Sequence, residues 1–362
     1  MCRYLLCALI AVITGACTHC PVARLSDMTL TLQPVEKHSV LQSSEYYTWG
    51  GSPVKGKDGK YHLYYSRWEK KHGFLAWVTH SEIAHAIADS VDGPYVFNDV
   101  TLPARGKEYW DGLTTHNPTI HYFEGKYYLY YMGTTGDGEY RTDQLNVTHR
   151  NNQRIGVAVS ESPYGPWQRF DEPLINVSSD SLAHDALMVS NPSILQKTDG
   201  SYLMVYKAVG RKRPGKWGGP VVHLCATSGS PLGPFTKYPN PIFTSEDSSF
   251  PAEDPYIWCQ DNVYYAIVKD MHGCFTNAGR SLALFYSEDG LDWKPVKESL
   301  VCVPEIHWID GSLMKLEHLE RPQLLIENGK PVMLFLAADT LSKDLGEYAE
   351  NGHSFNVHIH LK

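Results

Sequence analysis

Beyond residue 20 the chain carries only four cysteines, Cys225, Cys259, Cys274 and Cys302, and none stands in a Cys-x-x-Cys pair. That spacing argues against a zinc site and leaves one or two disulfides as an option in an oxidising compartment. There is no basic block. The 32 Lys and Arg are outnumbered by 40 Asp and Glu, for a net charge of −8, so a nucleic acid is not an expected partner. A helical apolar period is absent over any useful length. The apolar run from Tyr4 to Ile13 falls well short of the roughly 20 residues that a membrane-spanning helix needs.

That run follows Arg3 and leads into small residues, which reads as a secretory signal. Thr14-Gly15-Ala16-Cys17 resembles a bacterial lipobox, in which Cys17 would carry a lipid anchor. Simple cleavage is the alternative, and Cys20 does not separate the two. The expectation is an exported protein, periplasmic or an outer-membrane lipoprotein. Two sequons, at Asn146 and Asn176, matter only if the source glycosylates exported proteins.

The chain is rich in aromatics, with 23 Tyr and 9 Trp. Most of these fit the preference of aromatic residues for strands. Five segments share one pattern of a proline, a short apolar strand, a turn with Gly, Asp or Asn, and an aromatic-rich strand. They begin near Gly50, Thr115, Ser190, Glu253 and Glu320. Each reads as a β-hairpin. Their prolines, Pro53, Pro118, Pro192, Pro255 and Pro322, recur every 63 to 74 residues. A second pattern follows the first four hairpins: a strand, a Gly-containing turn and a strand ending on an aromatic. Together the two halves predict a four-stranded antiparallel blade. Five blades predict an all-β, five-bladed β-propeller. A solenoid is the rival. The fifth unit is short and ends in SFNVHIHLK, so the stretch from Glu36 to Thr48 is expected to supply its missing strand. The predicted organisation is a signal over 1–20, an N-terminal segment over 21–45 and a catalytic propeller over 46–362.

Proline starts an inner strand where no ladder N–H is yet required, so the residues just before it face the central channel. These pairs are Gly51-Ser52, His116-Asn117, Ser190-Asn191, Glu253-Asp254 and Glu320-Arg321. Trp49 lies just upstream of the first, Asp111 upstream of the second, His184 and Asp185 upstream of the third, and His307 in the loop before the fifth. Several carboxylates in one pocket push their pKa values apart and so assign an acid and a base. Glycoside hydrolysis needs such a pair. The plainer readings are strand-end capping for Glu253 and Asp254, a turn role for Asp111, a structural ion pair for Glu320 with Arg321, and packing of His307 on Trp308. Asn117 and Asn191 either cap their strands or bind sugar hydroxyls.

At these residues the sequence resembles the five-bladed propeller glycoside hydrolases. Blade-start Asp-Pro is similar to the clan containing families 43 and 32, whose members act on arabinosides, xylosides and fructosides. Thr115-His116-Asn117-Pro118 below an acidic residue, the later Glu253-Asp254-Pro255, and His307 before the last blade resemble family 117, the exo-acting 3,6-anhydro-L-galactosidases. The resemblance implies inversion, with Asp111 as general base, Asp254 orienting substrate or tuning the acid, and His307 as general acid. Glu320 is the reserve acid. Substrate contacts are expected from Trp49, His116, Asn117, His184, Asp185, Asn191, Glu253 and Arg321. Family 43 places its base before the first proline, where this chain has Ser52. A family 43/32-type arabinofuranosidase, xylosidase or β-fructosidase, or a non-catalytic carbohydrate-binding propeller, stands as the alternative function. No cofactor is expected. A channel metal held by His116, His184, His358 or His360 stays open, as does a homodimer. The expected partner is an oligosaccharide.

Overall fold

The computed structural model describes residues 25–340 and 353–362. The expected signal and Cys17 lie outside the described residues. The strands run β1 (Val40–Gln42), β2 (Tyr46–Lys55), β3 (Tyr61–Glu69), β4 (Glu82–Ala88), β5 (Val96–Leu102), β6 (Thr114–Phe123), β7 (Lys126–Thr134), β8 (Arg154–Ser160), β9 (Met188–Gln196), β10 (Tyr202–Val209) and β11 (Val221–Ser228). They continue as β12 (Thr236–Lys237), β13 (Ala252–Gln260), β14 (Val263–Asp270), β15 (Ser281–Ser287), β16 (Lys294–Cys302), β17 (Glu305–His307), β18 (Leu313–Lys315), β19 (His318–Glu327), β20 (Lys330–Asp339) and β21 (Ser354–His360).

Blade 1 is β2-β3-β4-β5, blade 3 is β9-β10-β11-β12 and blade 4 is β13-β14-β15-β16. Blade 2 is β6-β7-β8, with its outer edge reduced to bridges from Val159 to Gln168 and Ile155 to Ile175. Blade 5 is β19-β20-β21, completed on its outside by β1. Val40, Leu41 and Gln42 pair with Val357, Asn356 and Phe355, so the ring is closed by residues from within the expected N-terminal segment. The hairpin β17-β18 sits between blades 4 and 5.

Middle strands of a propeller are covered on both faces by neighbouring blades, so they read as continuous apolar runs rather than alternating ones. Val263–Asp270 is buried at every position. Five apolar clusters fill the five blade interfaces. Tyr64, Leu102, Leu129 and Tyr131 join blades 1 and 2. Tyr130, Val157, Met204 and Tyr206 join blades 2 and 3. Val205, Cys225, Ala266 and Phe285 join blades 3 and 4. Trp258, Ile267, Leu334 and Val357 join blades 4 and 5. Leu63, Tyr65, Leu325 and Phe335 join blades 5 and 1. Each large side chain so buried contributes about 1.5–3 kcal/mol.

The four cysteines of the described residues are all free. Burial pushes the Cys225 and Cys302 thiols up to about 12, which suits inert core residues. Among the described residues no helix is long and apolar enough to cross a membrane.

Every inner strand is broken by a β-bulge at the same place, where two residues oppose one on the next strand. In blade 1 the bulge lies between Trp49 and Ser52. In the others it falls between His116 and Thr119, Ser190 and Ser193, Glu253 and Tyr256, and Glu320 and Gln323. Its first residue is always left-handed: Gly50 at φ 55°, Asn117 at 52°, Asn191 at 52°, Asp254 at 53° and Arg321 at 56°. Gly, Asn and Asp tolerate this conformation. This register corrects the sequence reading of blade 1. The counterpart of the later prolines is Gly51, not Pro53, so Trp49 and Gly50 replace Gly51 and Ser52 at the channel mouth. The Ser52 hydroxyl instead ties blades together, donating to Gln323 Oε1 at 2.9 Å and accepting from the Ile120 N–H at 3.0 Å.

Candidate active site

The bulges bring five side-chain positions to one axis, and four of them interlock. Asn117 Nδ2 donates to Asn191 Oδ1 at 2.8 Å, and Asn191 Nδ2 donates to Asp254 Oδ1 at 2.7 Å. Arg321 Nη1 donates to the same Asp254 oxygen at 3.1 Å. Blade 1 contributes only the bare Gly50, and a methyl there would lie 3.5 Å from both Arg321 Nε and Asn117 Oδ1. This ring floors a cavity of about 240 Å³.

One residue toward the mouth stand Trp49, His116, Ser190, Glu253 and Glu320, all lining the cavity. Trp68, Phe74 and Trp77 complete an aromatic wall on the blade 1 side. The Trp77 ring stacks on His116 with centroids 4.9 Å apart. The His116 ring also bonds the Ser81 hydroxyl through Nδ1 at 2.7 Å. Burial, helped by the Arg321 charge, holds His116 well below its usual range, so it is a neutral imidazole. Leu145, Arg150 and Gln153 reach the cavity from the insertion between β7 and β8.

The opposite wall is ionic. Glu253 pairs with Lys207 and, at 3.3 Å, with Lys269; Lys269 also pairs with Glu320. Burial acts to raise the Glu253 carboxyl, but the two lysines overcome it and hold the group well below the carboxylate range. Lys269 is the mirror case: desolvation is outweighed by Glu320 and Glu253, and its ammonium is held more firmly than usual. Asp254 differs. Burial pushes its carboxyl up to about 6, against the pull of Arg321, with the charges of Glu253 and Glu320 adding to the rise. A carboxyl poised there exchanges protons near neutrality, which suits acid–base work.

Of the residues singled out from sequence, Trp49, His116, Asn117, Asn191, Glu253, Asp254, Glu320 and Arg321 converge on this cavity. Asp111, His184, Asp185 and His307 do not line it. Asp111 is fully buried behind blade 2. Its carboxylate takes Arg105 Nε at 2.8 Å, Arg169 Nη2 at 2.6 Å and the Tyr131 hydroxyl at 2.6 Å. A carboxylate so saturated is a structural anchor, which corrects its expected role as general base. His307 sits in the β17-β18 hairpin, 68% exposed, with Nε2 2.9 Å from Glu305. That placement corrects its expected role as general acid. Asp185 is buried against Lys237 Nζ at 2.6 Å, and burial lowers the His184 imidazole. His358 and His360 lie by Asp92 on blade 5. Among the described residues no group of three or more His, Cys, Asp or Glu could hold a metal.

Sequence reading missed Lys207, Lys269 and the loop residues Trp77 and Arg150. A signal for the lysines existed. Each interrupts an apolar second strand, in Tyr202–Val209 and Val263–Asp270, and a lysine is almost never buried without a partner. Trp77 and Arg150 lie in insertions outside the repeat and left no such signal.

No family model matches the chain, and no curated protein matches it in sequence. Solved structures do match it in fold. A family 117 glycoside hydrolase produced by the marine bacterium Zobellia galactanivorans aligns at 17% identity, over 92% of this chain and 90% of that one, with a TM-score of 0.63. A GH43 β-xylosidase/α-arabinofuranosidase from a compost microbial metagenome, in complex with xylotriose, aligns at 17% identity over 91% and 95%, with a TM-score of 0.56. An α-L-arabinofuranosidase from Lactobacillus brevis aligns at 11% identity over 90% and 92%, with a TM-score of 0.58. The chain therefore shares its five-bladed propeller fold, nearly end to end, with glycoside hydrolases of families 117 and 43.

Proposed function

We propose that this chain is an exo-acting glycoside hydrolase that removes a terminal sugar from an oligo- or polysaccharide. The observation that carries the reading is the Asp254 carboxyl, pushed up to about 6, standing beside two further carboxylates in a cavity with one aromatic wall. Trp77 and Trp49 offer apolar surface to a sugar ring, with the buried Trp68 packed behind them. Asn117 and Asn191 offer hydrogen bonds for hydroxyls. The interlocked ring closes the axis below the cavity, which suits a chain end entering from the mouth. A concave site with an aromatic wall, convergent polar groups and a perturbed carboxyl is a usual form of a small-ligand site.

In this reading Asp254 protonates the departing glycosidic oxygen. Glu320, beside Lys269, acts from the neighbouring blade as base on the attacking water. Glu253, held ionised, fixes Lys207 and Lys269 and raises the Asp254 carboxyl. Inversion is the outcome implied by the family 117 resemblance, and it requires room for a water between acid and base. The protein is proposed to act outside the cytoplasm, exported by its N-terminal run.

Purified protein incubated with agar-, xylan-, arabinan- and fructan-derived oligosaccharides should release a monosaccharide from at least one, with inverted anomeric configuration by NMR. Asp254→Asn and Glu320→Gln should each cut the rate by about 10²-fold or more. Full activity in both variants would sink the assignment, and retention would demand a different carboxylate pair. One observation favours a second reading, a carbohydrate-binding propeller without catalysis: blade 1 brings Trp49 and Gly50, and no carboxylate, to the mouth. Measurable oligosaccharide binding with no product after long incubation would establish it.

A further inference from the structure

Arg321 is the anomaly of the central ring. Its four counterparts are Gly, Asn, Asn and Asp, which accept φ near +55° with little strain. Arg321 takes φ 56°, a conformation that costs an ordinary side chain about 1–2 kcal/mol. The residue is 2% exposed. Only Nη1 is engaged, with Asp254 Oδ1 at 3.1 Å. Nε and Nη2 are buried and have no partner among the described residues, and neither has the nearby Asn117 Oδ1. Leaving such donors unpaired is costly, and strained backbone persists where function requires it.

The geometry of the free atoms is specific. Nε–H and Nη2–H lie on one side of the guanidinium and point the same way. That edge is the fork that grips two oxygens of a carboxylate at once. The Asp254 bond leaves that edge unpaired, and the bare Gly50 keeps a side chain off it, since a Cβ there would stand 3.5 Å from Nε. Charge favours an anion as well. In the cavity lining Arg150, Lys207 and Arg321 balance Glu253, Asp254 and Glu320, and Lys269 just behind them adds a fourth cation.

We propose that the sugar taken by this cavity is acidic: a terminal uronic acid whose carboxylate sits on the Nε–Nη2 edge of Arg321, with a neighbouring hydroxyl donating to Asn117 Oδ1. The proposal rests on the sugar-binding reading of the same site and narrows it to one substrate class. A neutral sugar would leave the fork unsatisfied. A uronic acid pairs it and balances the charge of the site.

Calorimetric titration of the intact protein at low salt tests this without requiring turnover. D-Galacturonate and D-glucuronate are compared with D-galactose and D-glucose. At least one uronate should bind ten-fold or more tightly than its neutral counterpart, with an advantage that shrinks as salt is added. Arg321→Lys keeps the charge but loses the fork, and should lower the uronate-to-neutral affinity ratio at least ten-fold. If that variant does not fold, the uronate-to-neutral ratio of the unaltered protein decides alone. Equal binding of uronates and neutral sugars overturns the proposal. So does inorganic phosphate or sulfate binding as tightly as the uronate and competing with it, which would make the fork a site for a free oxyanion. Cleavage of neutral oligosaccharides with no uronate binding overturns this inference and leaves the hydrolase reading standing. Uronate binding with no hydrolysis of any acidic oligosaccharide does the reverse.

Discussion

Lys269→Met tests the ionic wall most directly. Lys269 is 5% exposed and bridges Glu253 and Glu320. Methionine keeps the bulk and removes the charge, so Glu320 loses its cation and Glu253 keeps only Lys207. Removing one partner of a buried ion pair costs about 3–5 kcal/mol. At about 2.1 cal/mol/K of unfolding entropy per residue, that is roughly 4–7 °C in Tm for a domain of this size. The pH dependence has a defined sign. The Glu253 carboxyl is held low in the folded protein, so its pairing stabilises above the ordinary carboxylate range and is lost as pH falls through the folded value. The variant has less of this to lose, so its deficit should be largest near pH 7.5 and should shrink toward pH 4. Urea unfolding at both pH values measures it. Lys269→Met combined with Glu320→Gln should recover part of the loss. A deficit under about 1 kcal/mol, or one independent of pH, would refute the claim that Lys269 neutralises a buried pair.

Other outcomes follow from the same geometry. The pH–rate curve for kcat/KM should have a limb near pH 6 with activity falling as pH rises, because Asp254 must be protonated to act as acid; Lys269→Met should move that limb upward. Asp111→Asn should lower stability by roughly 3 kcal/mol, since it strands Arg105 and Arg169, yet leave kcat of the folded protein within a few-fold. His307→Ala should change neither stability nor kcat measurably, and a loss of 10²-fold in kcat would restore a catalytic role to that residue. Trp77→Ala should raise KM more than it lowers kcat, because it removes stacking area and not a proton-transfer group; steady-state kinetics on the best substrate of the panel separates the two.

The hairpins, their order and the closing strand near residue 40 were legible because they depend on local chemistry. Apolar runs, Gly and Asn turns and a strand-starting proline recur at regular intervals, and each needs only its neighbours to be read. The charged pairs Glu253-Asp254 and Glu320-Arg321 were legible for the same reason, being tied to the proline that follows them. Blade 1 was not, because its bulge falls two residues before Pro53, and register is settled by pairing with β3.

The fate of each carboxylate was settled only in three dimensions. Asp111 and Asp254 both sit near an inner strand start. One is claimed by Arg169, 58 residues away in sequence, and the other is left in a cavity with a single guanidinium bond. His307 turned outward with its hairpin. The lysines that hold Glu253 down come from second strands of blades 3 and 4. Sequence by itself determined that five blades would form and, for four of them, which strand-start residues would stand at their mouths. Tertiary structure decided which of those groups are neutralised and which stay available, because Coulomb energy and desolvation depend on distance in space and not on separation along the chain.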